Sequence, residues 1–138
     1  MRLTTDQIRL MSAFESLTGI LAKDCVIDDH AVVFVVNERE VGKAVGKKGQ
    51  NVKKLENLLN KRVEVVGYSQ DPVRFFKNIF HPAHILAVSL NEKNGRKIAR
   101  VHVDREALRI LERKMDRKLK LAKILAKRYF NIDNVVVV

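Results

Sequence analysis

The chain has 138 residues, 27 Lys+Arg against 16 Asp+Glu, and a formal net charge of +11. Its length suits one domain or two very small ones, and 46% apolar residues are enough for a core, which argues against a disordered tail. It has no apolar run long enough to span a bilayer and no apolar stretch after Met1-Arg2-Leu3, and its lone Cys25 can form no internal disulfide; these features suit a cytoplasmic protein with a polyanionic partner, nucleic acid before membrane.

The first helix is predicted from Thr4 to about Leu17, capped by Thr4 with Gln7 in capping-box spacing and ended by Gly19. Leu10, Phe14, Leu17 and Leu21 fall on its inner face. Strands follow at Asp24–Ile27 and Ala31–Val36, joined by a turn at Asp28-Asp29-His30; the second is apolar throughout and should be buried on both faces. A short helix from Arg39 to Val45 runs into Gly46-Lys47-Lys48-Gly49. The next, Gln50 to Asn60, turns Val52, Leu55, Leu58 and Leu59 inward, and a strand at Val63–Val66 closes the half. Asp71 then caps a helix with Pro72 at its first position, carrying Phe75, Phe76, Ile79 and Phe80 and stopping before His81-Pro82. Strands at about His84–Leu90 and Lys97–Val103 flank Asn94-Gly95, a strong hairpin signal that would set His102 opposite Ala87. A basic helical stretch from Arg105 to Phe130 and a strand at Val135–Val138 end the chain.

The order helix-strand-strand-helix-helix-strand therefore occurs twice. Aligning Val36 with Val103 gives an offset of 67 residues, setting Lys47 on Lys114, Lys53 on Lys120 and Leu58 on Leu125. The expected organisation is a first unit at 1–67, a linker at 68–72 and a second unit at 73–138. Units of this size are marginal alone, so the two should pack as a rigid pair, with the aromatic segment Val73–Phe80 as cement.

The tetrad Gly46-Lys47-Lys48-Gly49 carries the binding chemistry. Glycines permit a tight turn and close backbone approach, and the start of the following helix favours an anion. From Arg39 to Lys54 there are six Lys/Arg and one acid. A Gly-x-x-Gly alone is also a plain helix-to-helix turn. Two lysines inside it, a helix on each side and buried strands nearby favour a loop that clamps a nucleic-acid backbone.

This order of elements resembles the type II KH fold. The run Val45 to Val52 and the junction Asp71 to Ala83 are similar to the NusA transcription factors, and Leu121 to Asp133 resembles their archaeal branch. The resemblance implies an α+β pair of tandem KH domains without an S1 domain. It implies a monomeric, cytoplasmic protein that binds single-stranded RNA and acts in termination or antitermination with RNA polymerase or its elongation complex. The expected contacts are Lys43, Gly46, Lys47, Lys48, Gly49, Gln50, Asn51 and Lys53, with Ala44, Val45, Val52 and Leu55 as the groove wall. A ribosome-associated or ribosome-assembly KH protein is the alternative. In the second unit the tetrad should fall at Arg113-Lys114-Met115-Asp116, where both glycines are missing. Asp116 could still cap the last helix, so a retained turn is expected rather than one uninterrupted helix. Arg105 to Arg128 nonetheless holds ten Lys/Arg and three acids, and Arg113, Lys114, Arg117, Lys118 and Lys120 are assigned as a supporting basic face.

Other constellations read as structure. His30, His81, His84 and His102 lack the spacing and cysteine support of a metal site, and Asp28-Asp29 is a turn. Cys25 is a core residue. The tetrad lacks the Lys-Ser/Thr ending of a Walker loop. The aromatics, only 6% of the chain, read as packing. No catalysis, cofactor or metal is expected.

Overall fold

A computed structural model describes residues 3–111 and 114–138. Contacts divide the chain into two units, meeting between Ser69 and Gln70.

In the first unit α1 spans Thr5–Thr18. Its start is fixed by a reciprocal pair: the Gln7 amide N–H donates to Thr4 Oγ1 at 3.1 Å, and the Thr4 N–H to Gln7 Oε1 at 2.8 Å. Gly19, at φ 75°, ends it. Leu21 therefore lies beyond the helix and is 71% exposed rather than on its inner face. β1 (Asp24–Ile27) pairs antiparallel with β2 (Ala31–Asn37), which pairs parallel with β3 (Arg62–Tyr68). Between them Asp28 Oδ1 accepts from the His30 and Ala31 amides, both at 2.7 Å, so its carboxylate builds the turn. The β2–β3 crossover is a 3-10 turn at Glu38–Glu40, then α2 (Val41–Val45), the tetrad and α3 (Gln50–Leu59).

Ala31 to Val36 are all buried, as a strand covered on both faces requires. Phe34 stacks on Phe14 with ring centroids 4.5 Å apart, and Ala44, Leu55, Val32, Val36 and Cys25 complete the core. Leu58, expected inward, is 64% exposed.

The second unit repeats the order: α4 (Pro72–Phe80), β4 (Ile85–Lys93), β5 (Arg96–Val103), α5 (Arg105–Leu111), α6 (Met115–Phe130) and β6 (Asn134–Val137). β4 and β5 pair antiparallel, β5 and β6 parallel. Asn94 and Gly95 have φ of 54° and 78°, the conformation that a two-residue hairpin turn demands, and Ala87 faces His102 as the sequence predicts.

Two expectations, the linker bounds and the fixed offset, change here. The linker is shorter than 68–72, since Tyr68 closes β3 and Pro72 opens α4, leaving Ser69, Gln70 and Asp71 between them, with Asp71 capping α4 through Oδ1. Phe75, Phe76, Ile79 and Phe80 are buried in a helix that packs on α6 and β4 of its own unit; Phe75 meets Phe130 edge-on at 5.7 Å. The fixed offset also fails beyond the strands, because α6 has 16 residues against 10 in α3. It therefore pairs exposed Leu58 with fully buried Leu125.

The basic stretch is two helices, as a chain that must return parallel to β5 requires. α5 ends at Leu111 and α6 begins at Met115, and Lys114, inside the expected tetrad, is the one described residue between them. Lys114 is the N-cap residue of α6, while Met115 and Asp116 belong to the helix, so Asp116 does not cap it. Arg113 lies outside the described residues. No helix among the described residues is long and apolar enough to cross a membrane.

Candidate nucleic-acid interface

α2 is only five residues long, and Gly46 terminates it with φ 80° and ψ 168°, a conformation open essentially to glycine alone. The Gly46 N–H donates to the Gly42 carbonyl at 3.0 Å, and the Gly49 N–H to the Gly46 carbonyl at 3.0 Å. The tetrad is thus a closed, hydrogen-bonded turn. Its far end carries two successive left-handed residues, Lys48 at φ 56° and Gly49 at φ 72°. Gly49 is the N-cap residue of α3 and has no side chain to cap the first turn.

Charge follows from this geometry. Lys43, Lys47, Lys48, Lys53 and Lys54 are all exposed around the start of α3. Cations at the positive end of a helix dipole repel it by roughly 0.3–1 kcal/mol each, whereas an anion there would be held. Glu56, the nearest acid on α3, is turned to the sheet, where Oε2 accepts from the Val63 amide at 3.1 Å. Lys48 adds backbone strain of roughly 1–2 kcal/mol, the cost of a left-handed conformation for a residue with a Cβ. The loop thus gathers exposed positive charge and backbone strain at one helix start.

The predicted residues separate into distinct places. Gln50 is exposed beside Lys48 and Gly49. Asn51, assigned as an RNA contact, spends its amide internally, with Nδ2 donating to the Lys43 carbonyl at 3.3 Å. Ala44 and Leu55, expected as groove wall, are fully buried in the core and offer no surface. Val45 and Val52 are half-buried and retain surface. The left-handed turn at Lys48 was not legible in the sequence, because Gly or Asn is the usual signal for that backbone.

In the second unit the basic face is thinner than its composition suggests. Lys118 Nζ donates to the carbonyls of Ile79 at 3.2 Å and His81 at 2.7 Å, closing the C-terminal end of α4. Lys127 pairs with Asp133 at 2.8 Å. Arg117 is half-buried, while Lys114 and Lys120 remain exposed. Among the described residues no group of His, Cys, Asp and Glu could hold a metal.

Comparison with known proteins places these features in context. The KH domain model matches residues 9–80. "Probable transcription termination protein NusA" of Methanocaldococcus jannaschii is 32% identical over 137 residues, covering 99% of this chain and 75% of that protein. The protein of the same name from Halococcus morrhuae is 33% identical over 133 residues, covering 96% and 95%. The crystal structure of APE1850 superposes with a TM-score of 0.85 at 32% identity, over 99% of this chain and 100% of that one.

Proposed function

We propose that this chain, which belongs to the KH-domain family and within it to the archaeal NusA proteins, is a single-stranded RNA-binding factor of transcription termination. The observation that carries the reading is the tetrad itself: a glycine-dependent turn presenting Lys47 and Lys48 at the uncapped start of α3. In this reading residues 1–67 and 73–138 are two KH domains, the second lacking the glycines that clamp a backbone.

Gly46 to Gly49 holds the sugar-phosphate chain, so that about four bases lie along Val45 and Val52. Lys43, Lys47, Lys48 and Lys53 take the phosphates, and Gln50 lies where the strand leaves the clamp. Lys114 and Lys120 add a sequence-independent share of affinity. The protein works as a cytoplasmic monomer, without catalysis, on RNA emerging from RNA polymerase.

Titration of a fluorescent single-stranded RNA decamer at several salt concentrations tests this. Four phosphates neutralised give a slope of log K against log salt near −3, at about 0.7 per phosphate. The Lys47→Asp/Lys48→Asp variant should lose at least about tenfold in affinity with roughly half that slope. Undiminished binding by a folded variant, checked by circular dichroism, would remove the clamp from this loop.

A further inference from the structure

We propose that β4 is a docking strand: its outer edge takes an extended acidic peptide segment of a protein partner, which adds a fourth strand to the second sheet. Among the described residues β4 pairs only with β5, so its other edge presents a row of backbone donors and acceptors.

Soluble proteins blunt such edges with short strands, charges or proline. β1, the corresponding edge of the first unit, follows that rule with four residues starting at Asp24. β4 does not. It runs for nine residues, and from Ile85 to Leu90 it carries no charge and no proline. Leu86 and Leu90 are 59% and 49% exposed along it. A bulge interrupts only its start, between Ile85 and Ala87.

Register shows how a partner would be read. Val88 lies opposite Val101 and Leu90 opposite Ala99, and both β5 residues are fully buried, so Val88 and Leu90 share the core-facing side. Leu90 also lines an apolar cleft of about 300 Å³ with Pro72, Ile98, Phe130 and Ile132. An incoming strand alternates its side chains. One apolar residue of the partner would pack beside Leu90 and enter this cleft.

Charge selects among occupants. The β4–β5 hairpin holds Lys93, Arg96, Lys97 and Arg100 against Glu92 alone, which favours an acidic segment. A second copy would bring the same basic hairpin on a chain of net charge +11, which disfavours pairing of like edges. RNA fits poorly, because it lacks the alternating backbone donors and acceptors that pair with a strand edge.

The probe is a fluorescein-labelled peptide, Asp-Val-Glu-Val-Asp-Leu-Glu, with a second in which every acid is Lys, each titrated against the full chain by fluorescence anisotropy. The acidic peptide should bind, the basic one at least about tenfold more weakly, and Leu90→Asp should weaken the acidic peptide about tenfold or more. Leu58→Asp, on an exposed position of the other unit, should change nothing. Hydrogen exchange on the wild-type chain should slow at β4 amides when peptide is added, a readout independent of whether Leu90→Asp folds. The proposal fails if no binding occurs up to millimolar peptide, if the basic peptide binds equally, if single-stranded RNA displaces the acidic peptide, or if β4 amides are unprotected.

Discussion

Gly46 and Asn51 compete for the same space: a Cβ on Gly46 would stand 2.9 Å from Cγ of Asn51 and 3.1 Å from its backbone nitrogen. The Asn51 side chain cannot swing away cheaply, because Nδ2 ties α3 to the Lys43 carbonyl at the end of α2. Gly49 differs, with a φ of 72° but open space where its Cβ would go. Gly46→Ala should therefore cost about 3 kcal/mol, from strain and collision together. Gly49→Ala should cost about 1 kcal/mol, from conformation alone. Urea denaturation midpoints measure both. Equal losses would mean that Asn51 relaxes and the turn is held by backbone alone.

Lys48 separates stability from binding. Its left-handed backbone, φ 56° and ψ 27°, suits glycine better than lysine, and its side chain is exposed. Lys48→Gly should raise stability by about 1 kcal/mol. The same variant should bind single-stranded RNA more weakly and reduce the salt slope by about 0.7, the share of one phosphate. A stabilised variant that binds as tightly as the wild type would show that Lys48 only shapes the loop.

Much of this architecture could be read from local chemistry. Thr4, Gln7 and Gly19 mark α1, Asp71 and Pro72 start α4, and Asn94-Gly95 sets a hairpin register that places Ala87 opposite His102. These signals act within a few residues, so tertiary context does not override them. Leu58 illustrates the other kind of feature. Its spacing fits the inner stripe of α3, yet how far that stripe extends depends on where α1 and the sheet end, which periodicity does not encode. Leu125 is buried because α6 runs longer over its own sheet, and no residue type in the sequence announces that difference in length.

The candidate site divides along the same line. Glycines and lysines in the tetrad were legible because turn geometry demands the former and exposure favours the latter. The partition of Ala44 and Leu55 into the core, and of Asn51 into the turn, required the tertiary arrangement. Lys118 could not be told from Lys120 by composition, since only the placement of the Ile79 and His81 carbonyls gives it a structural task.

That task makes a clean comparison. Lys118→Ala leaves two carbonyls at the end of α4 without their ammonium partner and should cost about 1.5 kcal/mol, the lower end for a charge-assisted bond, since the site is partly exposed. RNA affinity should hardly move. Lys120→Ala removes an exposed charge and should leave stability within about 0.5 kcal/mol. If α6 tracks phosphates, that variant should weaken RNA binding and flatten its salt dependence. The reverse assignment, Lys118 governing affinity and Lys120 stability, would mean that the carbonyl contacts open in solution.

Asp133 makes acid stability predictable in sign. Oδ1 lies 2.8 Å from Lys127 Nζ, and Oδ2 accepts from the Lys97 amide at 2.9 Å, so one carboxylate joins the end of α6 to β5. The Lys127 hydrogen bond first, then the Lys97 amide and the positive charge nearby, hold this carboxyl below the usual carboxylate range. A group whose pKa is lowered by folding contributes stability fully above its unfolded value, near pH 4, and loses it as pH falls through the folded value. Asp133→Asn keeps an acceptor for the Lys97 amide but forfeits the charge. It should be less stable than the wild type at pH 7, and the gap should narrow as the pH is lowered from 4 to 2. Urea midpoints of both proteins at pH 7, 4 and 2 read the effect directly. A gap unchanged by acid would assign the loss to packing or hydrogen-bond geometry and leave the ionised carboxylate with no part in joining α6 to the sheet.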